Sequence, residues 1–345
     1  MPIRVAMPGL ESDFRADTGE GTQRYGYELY RHLQKMNGIT VEKRAYGGRL
    51  QYASHMFYDD YTKADIIHIP NFRLFYPLRK GKATTLVTAH DFQPLIAPEI
   101  DMNHDATLSN RMWFEMVKLD MRCLLQSDYM ICNSTMTRDD AISLGYDKRR
   151  VFVANHGIDD RFRKKAKVRK QDKVFKVGYI GGFRARKNVA FAIEAFKRLD
   201  MRDAVFELWG KKSFEYDYLR KLAGRDRRIR FMGFAPESRL VDIYDTFDAF
   251  VFPSLYEGEG LEILEAQARG LPVIIYKNGK MPKEIKKYCL EANEKEDMIK
   301  LLKELGKTGY SNKISQLASG YARNFTWKRT AIGTMNLYKK IYKLS

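Results

Sequence analysis

The sequence contains little cysteine and no long apolar run. Its 345 residues include three cysteines, Cys123, Cys132 and Cys289, which are widely spaced and form no C-x-x-C pair. An odd, scattered set of thiols argues against a disulfide framework or a zinc site and favours a reducing compartment. No segment approaches the roughly 18 apolar residues of a spanning helix, and the first residues lack the apolar core of a signal peptide. We therefore expect a cytoplasmic protein, soluble or peripheral at a membrane.

Several catalytic signatures are also missing. The chain contains no H-E-x-x-H, no P-loop and no G-x-S-x-G motif. It also lacks a convincing D-x-D pair of the kind that holds a metal on a donor phosphate. We therefore predict no metal-binding residues and no cofactor.

Acidic residues are too few to balance the basic ones, and the formal net charge is +18. Such a charge attracts polyanions, including nucleic acid, an anionic membrane face and phosphate-bearing substrates. A merely solvated basic surface, a peripheral membrane contact and nucleic-acid binding all remain open. Specific nucleic-acid binding is the least favoured, because the basic stretches contain no recognisable binding module.

Short apolar runs alternate with helical patterns along the chain, which predicts parallel sheets covered by helices, an α/β fold. The first series of predicted strands and helices ends near Ala154, and a second series begins at Lys176. Between them, the segment Arg161–Lys173 is rich in Lys and Arg and is interpreted as a linker. We therefore predict two doubly wound, Rossmann-like domains, residues 1–165 and 174–327, with the ligand between them at the carboxyl ends of the strands. The individual strands are predicted at 3–7, 40–44, 66–69, 84–88, 129–132, 151–154, 176–180, 205–209, 229–232, 249–252 and 272–276.

The segment Pro253–Ile275, PSLYEGEGLEILEAQARGLPVII, carries the most information. An apolar strand leads into a glycine loop and then into a helix predicted at Glu259–Arg269. Such a junction presents unpaired backbone N–H groups and the positive end of a helix dipole to an anion. Glu257 in the loop and Glu265 about two turns into the helix can each accept hydrogen bonds from hydroxyl groups. An anion site between two carboxylates is typical of a nucleotide-sugar site.

This segment resembles the donor-site signature of the retaining glycosyltransferases of family 4 (group 1), EGFGLPxxEA followed by GxPVI. Glu259 and Glu262 stand where the family usually has Phe and Pro, which leaves the identity of the sugar open. The resemblance implies a GT-B fold, in which Glu257 contacts the transferred sugar and Glu265 the ribose. The loop N–H groups that would contact the sugar and the phosphates are those of Gly258, Glu259, Gly260 and Leu261.

A second glycine loop, Gly181-Gly182, follows the strand at 176–180 and precedes a helix predicted from Asn188. Small residues allow a phosphate to approach the backbone, and cations neutralise a departing pyrophosphate. The segment resembles the family's YVGRLxxRKN element, with Lys187 on the matching lysine. The family's arginine falls on Gly182, so Arg184 or Arg186 is predicted to supply the second cation.

Three further elements resemble those of the family. Gly21, in the loop before the first helix, matches a glycine whose N–H lies near the donor phosphate and the acceptor. His90 follows a strand and would orient the donor sugar. Gly233 and Phe234 lie where the family recognises the base, and a helix over 328–345 would return to the first domain. His156-Gly157 is interpreted as a turn, with Gly157 at positive φ.

The resemblance implies a metal-independent retaining glycosyltransferase that moves a hexose from a UDP- or GDP-linked donor to a hydroxyl group of a glycan, a lipid or a small molecule. Two alternatives stay open. One is another nucleotide-sugar enzyme of the same fold, an epimerase or a phosphorylase. The other is a basic DNA-binding or DNA-glycosylating protein, which would bind duplex DNA with a steep salt dependence.

Overall fold

The computed structural model describes residues 1–15, 21–48, 51, 58–71, 79–102, 108–164, 174–213, 215–308 and 312–344. The chain divides into two compact units. The N-terminal domain comprises Met1–Ala97, Thr107–Gly157 and Phe325–Ser345, and the C-terminal domain comprises Pro98–Ala106 and Ile158–Asn324.

The N-terminal domain contains a six-stranded parallel sheet in the order β2-β1-β3-β4-β5-β6. Its central strands are almost fully buried, as expected for short apolar runs in a sheet covered on both faces. The strands are β1 (Ile3–Leu10), β2 (Ile39–Tyr46), β3 (Ile66–Ile69), β4 (Thr84–Ala89), β5 (Tyr129–Cys132) and β6 (Val151–Val153).

Helices surround this sheet, and the last helix of the described chain returns to it. The buried side of that helix, including Trp327, Tyr338 and Ile341, belongs to the same core cluster as Leu29 and strand β1. The helices of this domain are α1 (Gly21–Leu33), α2 (Gln93–Ile96), α4 (Leu108–Leu124), α5 (Thr135–Ser143) and α14 (Trp327–Leu344).

The C-terminal domain contains a second six-stranded parallel sheet, in the order β12-β11-β10-β7-β8-β9. Its strands are β7 (Phe175–Ile180), β8 (Ala204–Trp209), β9 (Ile229–Gly233), β10 (Ala249–Phe252), β11 (Val273–Tyr276) and β12 (Leu290–Ala292). Its helices are α3 (Glu99–Met102), α6 (Asp160–Arg163), α7 (Val189–Lys197), α8 (Tyr216–Ala223), α9 (Leu240–Asp245), α10 (Leu261–Ala268), α11 (Lys283–Lys286), α12 (Lys295–Thr308) and α13 (Asn312–Ala322). The prediction of two Rossmann-like parallel sheets is confirmed.

The division between the domains differs from the sequence-based expectation. It falls at Gly157/Ile158, before the predicted linker. Phe162 is buried and its ring lies 5.6 Å from that of Tyr244, while Arg269 donates to the carbonyl oxygens of Phe162 (3.3 Å) and Lys164 (2.6 Å). The first part of the predicted linker is therefore packed on the C-terminal domain. Residues 165–173 lie outside the described part of the chain.

The interpretation of Gly157 is wrong in its physical reason. This glycine does not have a positive φ. Instead, a Cβ atom at this position would lie 2.0 Å from the backbone nitrogen of Trp327 and 2.3 Å from the carbonyl carbon of Thr326. Glycine is required here because the start of the returning segment passes directly over it.

Candidate functional site

A buried ion pair joins the two glycine-loop segments of the C-terminal domain. Lys187 Nζ donates to Glu257 Oε1 at 2.7 Å, and both side chains are less than a tenth exposed. Backbone contacts hold the segments together, since Leu255 N–H donates to the carbonyl oxygen of Arg186 at 2.8 Å. Two motifs that lie 70 residues apart in the sequence thus form one site.

A second cation contacts the same carboxylate. Arg186 Nη1 lies 3.3 Å from Glu257 Oε2 and donates to the carbonyl oxygen of Tyr256 at 3.2 Å. Burial alone would raise the pKa of the Glu257 carboxyl, but the charges of Lys187 and Arg186 outweigh it and hold that pKa below its usual range. Arg184 is exposed and precedes the short 3-10 helix Ala185–Lys187. Of the two candidate arginines, Arg186 has its guanidinium in contact with Glu257.

The glycine loop ends at a helix start that is two residues later than expected. Helix α10 begins at Leu261, because Gly260 has a left-handed backbone (φ 80°, ψ 53°) that cannot continue a helix. Gly260 is the N-cap and has no side chain that could accept hydrogen bonds from the first-turn N–H groups. Gly258 is buried and Glu259 is partly exposed. The structure thus contains the loop and helix start that the sequence predicts for an anion.

Glu262, which stands where the family usually has proline, lies near the Lys187 ammonium group. Its carboxylate lies 3.9 Å from Lys187 Nζ, and its side chain is more exposed than that of Glu257. Lys187 therefore lies between two carboxylates, while its ammonium group is also 4.8 Å from the ring centre of Phe252. The two departures from the family pattern thus add one acidic side chain to the loop, Glu259, and one to the first turn of helix α10, Glu262, which lies beside the buried cation.

Glu265 lies on helix α10 and is buried, as is Glu257. Its Oε2 accepts a hydrogen bond from the hydroxyl group of Tyr244 at 3.1 Å. Burial and the Glu265 charge raise the pKa of Tyr244 well above its usual value, so this tyrosine stays a donor. Neither glutamate therefore points to bulk solvent. Sequence reasoning missed Tyr244, because nothing in the pattern of helix α9 distinguishes it from an ordinary core tyrosine.

Tyr179 contacts the loop at Gly181 and Gly182: its hydroxyl group donates to the carbonyl oxygen of Gly182 at 2.8 Å. Tyr179 is buried, and a Cβ atom at Gly181 would meet its hydroxyl oxygen at 2.8 Å. Gly182 is exposed, and a Cβ atom there would meet nothing within 4 Å of the described atoms. Space thus constrains Gly181, whereas Gly182 lies open at the surface of the loop.

The predicted base-recognition residues lie at the end of edge strand β9. Gly233 has a positive φ of 79°, and its carbonyl oxygen accepts a hydrogen bond from Gly210 N–H at 2.8 Å. Phe234 is 44% exposed, and Lys211 Nζ lies 4.7 Å from its ring centre. The structure thus presents an accessible aromatic face with an adjacent cation.

In the N-terminal domain, His90 follows strand β4 and is buried. Its Nε2 lies 2.9 Å from the carbonyl oxygen of Pro70, and its ring centre lies 5.2 Å from that of Tyr25 on helix α1. Burial, followed by the neighbouring His156, lowers the pKa of His90 to about 3, so the imidazole is neutral. Gly21 begins helix α1, and residues 16–20 before it lie outside the described part of the chain.

His90 belongs to a cluster of buried rings that the sequence does not predict. Tyr25 stacks on His156 with ring centres 4.3 Å apart, and its hydroxyl group lies 2.9 Å from that of Thr88. Thr88 Oγ1 is 2.8 Å from His68 Nε2. Burial lowers the pKa values of His68 and His156 to about 3. The three histidines are spread over the sequence, and only the parallel order of the strands brings them together.

The described residues include no group of three or more His, Cys, Asp or Glu side chains that could hold a metal ion. Within the same residues, no helix is both long and apolar enough to cross a bilayer.

Two known family models match the chain, one over each part of it. The model for glycosyl transferases group 1 matches residues 160–317, and that for glycosyltransferase family 4 matches residues 43–162. The chain belongs to the group 1 glycosyltransferases of family 4. The donor-site segment and both glycine loops of the C-terminal domain fall inside the group 1 match.

Curated relatives of this chain are similar over part of their length. An O-antigen chain mannosyltransferase B from Escherichia coli is 31% identical over 170 residues, which are 47% of this chain and 45% of the relative. A D-inositol 3-phosphate glycosyltransferase from Rhodococcus jostii is 27% identical over 244 residues, 64% of this chain and 54% of the relative. The chain spans about half the length of these curated relatives.

Solved structures support the fold of this chain. A sucrose-phosphate synthase from Thermosynechococcus elongatus superposes with a TM-score of 0.75 at 16% identity, covering 99% of this chain and 100% of that chain. Anabaena HepE in complex with UDP and glucose gives a TM-score of 0.70 at 16% identity, covering 98% and 100%. The fold is GT-B, with two Rossmann-like domains.

Proposed function

We propose that this chain is a retaining glycosyltransferase that transfers a hexose from a nucleoside diphosphate to an acceptor hydroxyl group without a metal. The observation that carries the proposal is the contact of Lys187 and Arg186 with Glu257 beside the N-terminus of helix α10. Two cations, a glycine loop and a helix start are suited to a diphosphate, and the carboxylates are suited to hydroxyl groups.

In this proposal the positive charges of Lys187 and Arg186 stabilise the negative charge that develops on the departing diphosphate. Contacts of this kind typically contribute a few kcal/mol in a site that excludes water. Arg186 is assigned this role in preference to Arg184 because it already contacts Glu257. The first-turn N–H groups after Gly260 would bind the phosphates, and Glu257 would bind hydroxyl groups of the sugar.

The remaining predicted residues would hold the rest of the donor. Glu265, oriented by Tyr244, is suited to accept hydrogen bonds from the ribose hydroxyl groups. Phe234 and the Gly233 backbone are suited to the base. In the N-terminal domain, His90 and the Gly21 N–H group are assigned to the transferred sugar and the phosphate.

The reaction proposed is a substitution at the anomeric carbon. The bond from this carbon to the diphosphate oxygen breaks, and the electron pair leaves with the diphosphate. The acceptor oxygen forms the new bond on the same face, through an oxocarbenium-like state, and its proton passes to the departing phosphate oxygen. Two cations at the diphosphate favour this order, since they stabilise the leaving group before the acceptor bond is complete.

A UDP- or GDP-linked hexose is the proposed donor. The Anabaena HepE structures hold UDP, glucose and UDP-glucose, and one relative is a mannosyltransferase. The acceptor is proposed to be a hydroxyl group of a glycan, a lipid or a small molecule. The three cysteines are free thiols, in keeping with the proposed cytoplasmic location.

The donor is tested with the purified chain by thermal-shift measurements with UDP, GDP and ADP, since a ligand that binds only the native form raises Tm. Release of the nucleoside diphosphate from UDP-glucose and GDP-mannose is then measured. Glu265→Ala should weaken donor binding, Lys187→Ala should mainly lower kcat, and the product should keep the anomeric configuration of the donor by NMR. Unchanged kinetics in both variants, or release of free sugar phosphate, would contradict the proposal.

A further inference from the structure

Helix α14 carries an exposed, strongly basic face. Its 18 residues contain five basic side chains and no acidic one. All five are exposed, whereas the opposite side of the helix is buried in the core of the N-terminal domain. We define the basic face by these five residues, Lys328, Arg329, Lys339, Lys340 and Lys343.

Apolar side chains are exposed on the same helix. Ile332 and Tyr342 are each more than two-fifths exposed, and Leu344 is 66% exposed. A helix that combines basic and apolar side chains on its accessible surface is typical of segments that lie in the interface of a bilayer. Clusters of four to eight basic residues on such a helix fit anionic headgroups.

A depression of about 240 Å³ lies beside the basic face. Apolar side chains line most of it, among them those of Ile131, Phe152 and Leu337, and its polar lining residues are Asn336 and Lys340. The ammonium group of Lys340 lies 4.6 Å from the ring centre of Phe152. A cation next to an apolar depression suits an amphiphile better than a fully hydrated polyanion, because a polyanion has nothing apolar to place there.

We infer that the basic face of helix α14, with Ile332, Tyr342 and the adjacent depression, docks the N-terminal domain on an anionic lipid bilayer. The inference is independent of the proposed glycosyl transfer, since none of these residues belongs to the donor site. Because the buried side of α14 is fixed in the core cluster, the domain would adopt a defined orientation on the membrane.

The test compares two triple variants of the full chain that change the net charge equally. One is Lys339→Gln, Lys340→Gln and Lys343→Gln on helix α14. The matched control is Arg225→Gln, Arg227→Gln and Arg230→Gln, three exposed cations of the C-terminal domain. Co-sedimentation is measured with phosphatidylcholine vesicles with and without phosphatidylglycerol, and thermal unfolding checks that each variant is folded.

The unmodified chain should bind vesicles that contain phosphatidylglycerol and should bind less as salt is raised. The α14 variant should bind about a hundredfold more weakly, since each of the three cations near the surface contributes about fivefold. The matched control should bind almost as the unmodified chain does. A third variant, Ile332→Gln, keeps every charge and should still bind several-fold more weakly, because its apolar contact is lost.

Three results would overturn the inference. The first is equal weakening in the two triple variants, which would mean that net charge alone matters. The second is absence of binding to anionic vesicles by the folded, unmodified chain. The third is binding to duplex DNA that depends on the α14 lysines while Ile332→Gln leaves vesicle binding unchanged, which would assign the basic face to a nucleic acid.

Discussion

Removal of the Lys187 ammonium group should destabilise the C-terminal domain as well as impair the proposed reaction. In Lys187→Met the Glu257 carboxylate, 7% exposed, keeps Arg186 at 3.3 Å as its charged partner among the described residues. Breaking a buried pair by removing one partner typically costs 3–5 kcal/mol. We expect a loss of about 3 kcal/mol, at the lower end, because Arg186 still compensates part of the charge.

Native-state hydrogen exchange followed by mass spectrometry measures this loss, because peptides from strands β7 and β10 report the opening of the C-terminal domain alone. The double variant Lys187→Met with Glu257→Gln removes both charges. The free energy of unfolding that it loses should be about 2 kcal/mol smaller than the sum of the losses in the two single variants, since the effects of substitutions at contacting residues are not additive. The exposed Lys300→Met serves as the control and should change stability by no more than about 0.5 kcal/mol.

Two results would refute this reasoning. One is a Lys187→Met effect as small as that of Lys300→Met. The other is strict additivity of Lys187→Met and Glu257→Gln, which would mean that the two groups do not interact in solution. Loss of activity with unchanged stability would leave the catalytic assignment intact but would contradict the buried ion pair.

Three further predictions concern stability. The buried imidazoles of the N-terminal domain have pKa values of about 3, below the unfolded value near 6.5. Thermal unfolding should therefore show full stability above about pH 6.5 and a decline as the pH falls towards 3. At pH 5 each imidazole should have lowered the free energy of unfolding by about 2 kcal/mol. A constant Tm between pH 7 and pH 5 would contradict this. Gly157→Ala should cost about 1–3 kcal/mol in urea unfolding because its Cβ meets Trp327, whereas Gly320→Ala, in helix α13 with open space, should be neutral or stabilising. Arg269→Met should cost about 3–5 kcal/mol, since it leaves Asp245 buried without its 2.7 Å partner; calorimetry that shows less than 1 kcal/mol would exclude a strong pair.

The strands could be predicted because their signal is local. Strands β3, β5 and β10 have the predicted bounds, since each is a short apolar run that must be buried on both faces. Strand β12 and helices α12 and α13 were not predicted. Strand β12 has only three residues and its middle residue, Glu291, is exposed, so no apolar run marks it.

The site was predictable in its composition but not in its contacts. Glycines, glutamates and basic residues around Lys187 and Glu257 have a recognisable spacing, and that spacing also predicts the loops. The choice between Arg184 and Arg186 does not follow from spacing, because both lie within three residues of the lysine. The contact of Arg186 with Glu257 depends on how the loop after β7 meets the loop after β10.

The sequence by itself determined the two parallel sheets, the glycine loops and the family, because all three depend on short-range patterns of apolar, small and charged residues. Tertiary structure alone decided which cation meets Glu257, that Tyr244 orients Glu265, and that three histidines share one buried cluster. These contacts join segments that are distant in the chain, and strand order, not local propensity, sets which distant segments become neighbours.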